Sequence, residues 1–357
     1  MKRGSRPLLL LCVCLLAAGL AGCSPRQKTP LKVLFAGSLI IPFDDLERAY
    51  EQVHPDIDVQ MEGHGSIQVM RHVTEIGDEV DVVVPADRAL IPLMMYSTTD
   101  PETGEPYANW YAQFATNHLA LAFRPESRYA DEISEDNWYE VIMRPGVKLG
   151  ISDPRFDACG YRALMALQLA EAEYEEPMLL EELVTDSFKL PVRARKEGDD
   201  LIIHVPEILE RREGADLMVR SYSIQLIALL ESGDLDYTFA YDSVIKQHGL
   251  EMVPLPDSLN LGAAERAADY AKVRVQLDFQ RFATVKPEFV GEVIAYAVSI
   301  PSNAPHPKQA EEFVLFLLGP EGKAILERNH QPVLTPVTAD NYDNVPQTIK
   351  PLCVPMP

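Results

Sequence analysis

The chain has 357 residues, with 54 acidic against 32 basic side chains and a formal charge of −22. So acidic a surface excludes a general nucleic-acid binder and adhesion to anionic lipid, though not a local site for an anion, which depends only on nearby donors. The length exceeds what one ordinary core supports, so two domains are expected.

The N-terminus reads as a leader. Lys2, Arg3 and Arg6 precede an apolar run from residue 7 to 22 that is too short for a bilayer span of about 20 residues. It ends in Leu20-Ala21-Gly22-Cys23, the pattern in which cleavage precedes a cysteine that then receives lipid. Residues 1–22 are therefore expected to be a lipoprotein signal peptide, with Cys23 the lipidated residue and 23–30 a polar tether. Removing the leader takes three cations and moves the charge from −22 to −25. With Cys23 acylated, Cys159 and Cys353 remain, either paired in an oxidising compartment or buried as thiols; spacing does not decide.

Beyond the tether, β-rich runs alternate with helical periodicity, an α/β pattern. Strands are expected at 31–36, 58–61, 80–84, 117–124 and 147–151, and again at 217–219, 236–240 and 292–300. Helices are expected at 43–54, with an apolar stripe of Phe43, Leu46, Tyr50 and Val53, and at 67–76, 161–174, 224–231, 307–318 and 322–329. A hairpin falls near 188–205 inside a polar, proline-containing stretch.

The strand-to-helix junctions carry the chemistry. They read Ala36-Gly37-Ser38-Leu39, Gly63-His64-Gly65-Ser66-Ile67, Ser152-Asp153-Pro154 leading to Asp157 and Gly160, and Tyr241-Asp242-Ser243. In an open α/β sheet such junctions lie at the carboxyl ends of strands, where ligands bind. Small residues there leave N–H groups open at helix N-termini, and serine adds neutral donors, which together suit an anion. Each serine taken singly also serves as a plain helix cap. Histidines and cysteines lack metal-site spacing, and no nucleophile elbow or phosphate loop occurs. Asp44-Asp45 and Asp199-Asp200 read as solvated pairs, and His64, between two site glycines, is placed to approach a ligand, although a lone loop histidine is more often simply exposed.

From Leu31 onward the chain resembles the WtpA-type (archaeal ModA-like) molybdate/tungstate-binding proteins of ABC transporters. The stretches that carry it are Ala36-Gly37-Ser38-Leu39, Gly65-Ser66-Ile67-Gln68, Asp81-Val82-Val83 and Leu90-Ile91-Pro92-Leu93, then Cys159-Gly160-Tyr161-Arg162, Leu230-Glu231-Ser232-Gly233 and Asn260-Leu261-Gly262. The resemblance implies an α/β, two-lobed type II periplasmic-binding-protein fold with two hinge-crossing strands, at 117–124 and 292–300. Lobe I would comprise 31–118 plus 297–349 and lobe II 119–296. It also implies an extracytoplasmic binder, not an enzyme, with no cofactor, that hands molybdate or tungstate to a permease and acts as a monomer. Sulfate or phosphate capture on the same fold is the alternative, with an extracytoplasmic hydrolase behind it. Matched residue by residue, the family's oxyanion site falls on Ser38, Ser66, Asp157 and Tyr241, with Asp157 the first of two carboxylates that touch the metal centre. The second should be a glutamate, but Arg220-Ser221-Tyr222-Ser223 puts Ser223 there. A serine donates to an oxyanion oxygen where a carboxylate cannot, so a four-oxygen, donor-rich site is expected, with Asp157 also able to serve as a helix cap.

Overall fold

The structure is a computed structural model that describes residues 28–278 and 288–357. The leader and Cys23 lie outside the described residues.

The first lobe is a parallel sheet of order β2-β1-β3, formed by β1 (Thr29–Ala36), β2 (Ile57–His64) and β3 (Val82–Val84). Between β1 and β2 runs α1 (Ile40–Val53), and after β2 comes α2 (Ser66–Arg71), which continues as a wider π-turn to Ile76. Phe43, Leu46 and Tyr50 of α1 are fully buried, and hydrophobic burial there is worth about 1.5–3 kcal/mol for a side chain such as Phe43 or Leu46. The expected stripe stops short, because Val53 at the helix end is 58% exposed.

A second sheet, of order β14-β4-β15-β16, is antiparallel around β4 (Tyr111–Thr116), with β15 (Val333–Asp340) paired to it and β16 (Cys353–Pro355) parallel to β15. The strand expected at 117–124 is in fact β5 (Leu119–Phe123), which belongs to another sheet; Asn117 and His118 make the crossing. The return is β14 (Ala295–Val298), shorter than expected, and it pairs with β4 so that the two connections run side by side.

The second lobe is built on a five-stranded sheet, β11-β5-β10-β6-β9, in which β6 (Leu149–Ser152), β9 (Leu217–Arg220), β10 (Tyr237–Tyr241) and β11 (Glu251–Pro254) run in one direction and β5 alone opposes them. The expected hairpin is β7 (Arg193–Glu197) with β8 (Asp200–Pro206), turning at Gly198, whose φ of 66° suits a residue without Cβ. It extends into a fourth sheet through β12 (Val273–Asp278) and β13 (Glu288–Val290).

Helix α3 (Ala158–Glu173) lies between those two sheets of the second lobe, against β6 and β10 on one side and β8 and β12 on the other. Its residues from Ala158 to Gln168 are all buried, as a helix covered on both sides requires. Gly160 permits the close approach, since a Cβ there would stand 2.2 Å from the Ser152 carbonyl oxygen. Four further helices are α4 (Ser223–Ser232), which follows β9, α5 (Asp242–Gln247), α6 (Pro307–Leu318) and α7 (Pro320–Arg328). Cys159 and Cys353 are both buried and both free thiols, so they do not pair.

Candidate functional site

The sites expected from sequence sit where parallel strands end and helices begin. Ser38 follows β1, Ser66 opens α2 after β2, and Asp157 precedes α3 after β6. Ser223 opens α4 after β9, and Tyr241 ends β10. All five are buried, between 0% and 8% exposed, so their polar groups are available only to one another or to something enclosed with them.

The first lobe supplies two hydroxyls. Ser38 Oγ lies 2.9 Å from the Tyr296 hydroxyl on β14. Ser66 Oγ accepts the Ala86 amide at 2.9 Å, which leaves its own proton free to donate. The residues before these turns, Ala36 and Gly65, provide no side-chain cap, and neither does Tyr222 before α4. The turns that begin at Gly37 and Ser66 are thereby left without the side-chain acceptor that usually neutralises a helix start, whereas α4 takes its acceptor from Asp157.

Helix α3 differs, because Asp157 caps it. Its Oδ1 accepts the Cys159 amide at 3.3 Å and its Oδ2 accepts the Ser223 amide at 2.7 Å, so one carboxylate serves two helix starts. Burial pushes its carboxyl above the usual carboxylate range, while the Ser223 hydrogen bonds pull it back. The cap considered as the alternative role for Asp157 is therefore present.

Tyr241 is enclosed, and burial raises its phenol well above the ordinary value. Its oxygen accepts Arg162 Nη1–H at 2.7 Å, which leaves the tyrosine's own O–H free to donate. Sequence reasoning missed Arg162. It is 2% exposed, donates to the Ala86 carbonyl at 2.8 Å, and stands 3.4 Å from Asp87, which also accepts the Tyr161 hydroxyl. A signal was present, since Arg162 is the sole charged residue between 158 and 170, and a lone charge in an apolar helix must be paired when buried.

Also missed were Tyr296 and Asn117. Asn117 at the crossing donates to the Ser243 hydroxyl at 2.8 Å and the Tyr296 hydroxyl at 3.3 Å, and its Oδ1 accepts the Ser243 amide at 3.3 Å. Tyr296 thus joins Ser38 to the crossing, and its ring meets that of Tyr241 edge-on at 6.2 Å.

The lobes meet across this site. The Phe156 carbonyl accepts the amides of Ile67 at 3.2 Å and Gln68 at 3.4 Å, so the second lobe caps α2 of the first. Gly65 is required there, because a Cβ would lie 2.3 Å from the Phe156 oxygen. His64, between the glycines, stacks on His72 at 4.7 Å and meets the Tyr222 ring at 6.0 Å, and burial lowers its pKa. Among the described residues no cluster of three or more metal-ligating side chains occurs, and no helix is long and apolar enough to cross a membrane.

Two α/β lobes, joined by paired crossings and closing on buried hydroxyls and helix starts, define a solute-binding protein of the periplasmic type. The chain belongs to the bacterial extracellular solute-binding protein family, whose sequence model matches residues 31–330. It is 37% identical over 359 residues to an uncharacterized solute-binding protein of Methanoculleus marisnigri, covering 96% of each chain. It is also 37% identical over 361 residues to the molybdate/tungstate-binding protein WtpA of Thermococcus kodakarensis, covering 97% of this chain and 96% of that one. The resemblance read from the motifs is thereby borne out. Among solved structures, the Azotobacter vinelandii periplasmic molybdate-binding protein superposes with a TM-score of 0.55 at 14% identity, covering 85% of this chain and 100% of that one. The Mycobacterium tuberculosis sulfate-binding protein SubI gives 0.53 at 13%, covering 86% and 88%. At such identities these two show the fold alone, and the fold is the two-lobed one expected.

Proposed function

We propose that the protein is an extracytoplasmic, lipid-anchored receptor that captures molybdate or tungstate between its lobes and delivers it to an ABC permease. The observation that carries the reading is the meeting of neutral donors at one closed cleft. Ser66 and Tyr241 each have their oxygen satisfied by a protein donor and a proton left to give. Ser38 joins them beside Tyr296, and the helical turns that begin at Gly37 and Ser66 carry no side-chain cap. Donors without counter-charges suit a tetrahedral dianion, which keeps its charge while every oxygen is hydrogen-bonded. The 37% identity to WtpA supports molybdate or tungstate as the anion.

Asp157 and Ser223 distinguish this site. Each Asp157 oxygen already accepts one backbone amide, so the carboxylate is held as a cap rather than free to turn onto the metal centre of the anion, and Ser223 offers a hydroxyl in place of a second carboxylate. The bound anion then keeps four oxygens nearest its metal.

Titration calorimetry of the full chain against molybdate, tungstate, sulfate and phosphate tests the reading. Molybdate and tungstate should bind one per chain, with sulfate and phosphate at least tenfold weaker. Binding confined to sulfate or phosphate would replace the proposed cargo, and product formation from any phosphate or sulfate ester would point to a hydrolase. The anchor is tested by mass spectrometry of membrane-extracted protein, where diacylated Cys23 at a new N-terminus is expected and an uncleaved leader would refute it.

A further inference from the structure

The cluster around Arg162 joins the two lobes. Arg162 lies on α3 of the second lobe, whereas Ala86 and Asp87 follow β3 of the first. Its Nη1 donates at once to the Ala86 carbonyl across the cleft at 2.8 Å and to Tyr241 within its own lobe at 2.7 Å. Its Nη2 makes no hydrogen bond and faces Asp87 Oδ2 at 3.4 Å, so that contact is held by charge. Both side chains are nearly inaccessible, at 2% and 5% exposure, and Tyr161, the neighbour of Arg162, also donates to Asp87. The Ala86 amide is in turn the donor to Ser66 Oγ. One guanidinium therefore lies between the hydroxyls contributed by opposite lobes.

We propose that Arg162, tied to Asp87 across the cleft, is a positioning residue that aims the Tyr241 hydroxyl at the bound anion only when the lobes are shut, and thereby sets how long the anion is held. The proposal rests on the reading of the cleft as an oxyanion site. In the open form Arg162 and Asp87 separate and each regains water, so the pair contributes little to the first encounter. In the closed form neither has water, and loss of one partner leaves the other buried and unpaired. Truncation of one member of such a pair acts on the rate of release rather than on the rate of capture.

The test uses Asp87→Asn, Arg162→Gln and the double variant in the full chain. Asp87→Asn keeps the shape and an acceptor for Tyr161 while removing the charge. Release of labelled molybdate, chased with unlabelled anion, should accelerate about 30-fold or more in each single variant, with the association rate changed by less than about threefold. The double variant should release no faster than the worse single one, because the two substitutions remove one interaction. Unchanged or slower release in Asp87→Asn, or rates that multiply in the double variant, would overturn the proposal.

A second readout needs no anion. Hydrogen exchange at Ile67 and Gln68, whose amides are held by Phe156 across the cleft, should quicken in Asp87→Asn while exchange in β10 stays as in the parent. Equal exchange at 67 and 68 would contradict the clasp even if no tested anion bound. Wild-type protein that binds neither molybdate nor tungstate yet shows this quickened exchange would overturn the oxyanion reading while leaving the interlobe tie standing.

Discussion

The Ser223 amide donates to Asp157 Oδ2 at 2.7 Å, so a carboxylate at the start of one helix also closes the start of another. Asp157 belongs to α3 and Ser223 to α4, and the bond fixes the two helix ends relative to each other on one wall of the cleft. Asp157→Ala should therefore remove two caps and cost about 2 kcal/mol, at about 1 kcal/mol each, whereas Asp157→Asn, which keeps one carbonyl acceptor, should cost less than half of that. Urea unfolding of the anion-free protein measures both. An alanine variant as stable as the parent would mean that the carboxylate is held there for the ligand alone.

The Ser223 side chain stands at the first position of α4, beside the same carboxylate. Ser223→Glu places a second negative charge there, and two such charges about 4 Å apart repel by about 4 kcal/mol at an effective dielectric near 20. Sulfate affinity should collapse. Tungstate affinity should hold or rise, because the new carboxylate can bond to the metal centre, which sulfur does not allow. Parallel titrations of both anions decide it, and equal loss for both would confine Ser223 to hydrogen-bond donation.

Closure should be separable from folding at Gly65. A methyl group there would meet the Phe156 carbonyl oxygen at 2.3 Å, a contact made between the lobes rather than within one. Gly65→Ala should weaken molybdate binding by tenfold or more and leave the denaturation midpoint of the anion-free protein nearly unchanged. Unaltered affinity would show that the anion is held without this approach of the lobes.

Glu292, between β13 and β14, pairs with Arg88 at 2.9 Å, yet burial, with Asp87 nearby, pushes its pKa up to about 7. An unfolded glutamate titrates near 4.3, so the folded protein binds the extra proton between those values. Its contribution to stability is complete below about pH 4.3 and is lost as pH rises through about 7, with a slope of up to about 1.4 kcal/mol per unit. Melting curves from pH 4.5 to 8 should show this decline in the parent and a shallower one in Glu292→Gln. Superimposable profiles would mean that Glu292 does not titrate in this window.

The parts of the site nearest the chain's local grammar were legible in the sequence. Ser38, Ser66 and Tyr241 sit at strand-to-helix junctions, and small residues after a strand mark those places without knowledge of the fold. Arg162, Tyr296 and Asn117 depend on which lobe lies opposite, which no window of sequence reports. Val53 continued the apolar period of α1 on paper, but the helix ends there and leaves it in water. Strand β15 (Val333–Asp340) went unread because Pro336 interrupts it, and its pairing with β4 does shift register between Val333 and Thr338. The crossing was placed within a few residues, yet read as one strand, since a change of sheet at Asn117 leaves no mark in hydrophobic pattern.

Anomalous diffraction at the tungsten edge, from crystals of the protein grown with tungstate, locates the anion directly. One strong peak per chain is expected in the cleft, within hydrogen-bonding reach of the hydroxyls of Ser38, Ser66 and Tyr241 through its oxygens. A peak outside that cleft, or none at saturating tungstate, would contradict the assignment of these residues to oxyanion capture.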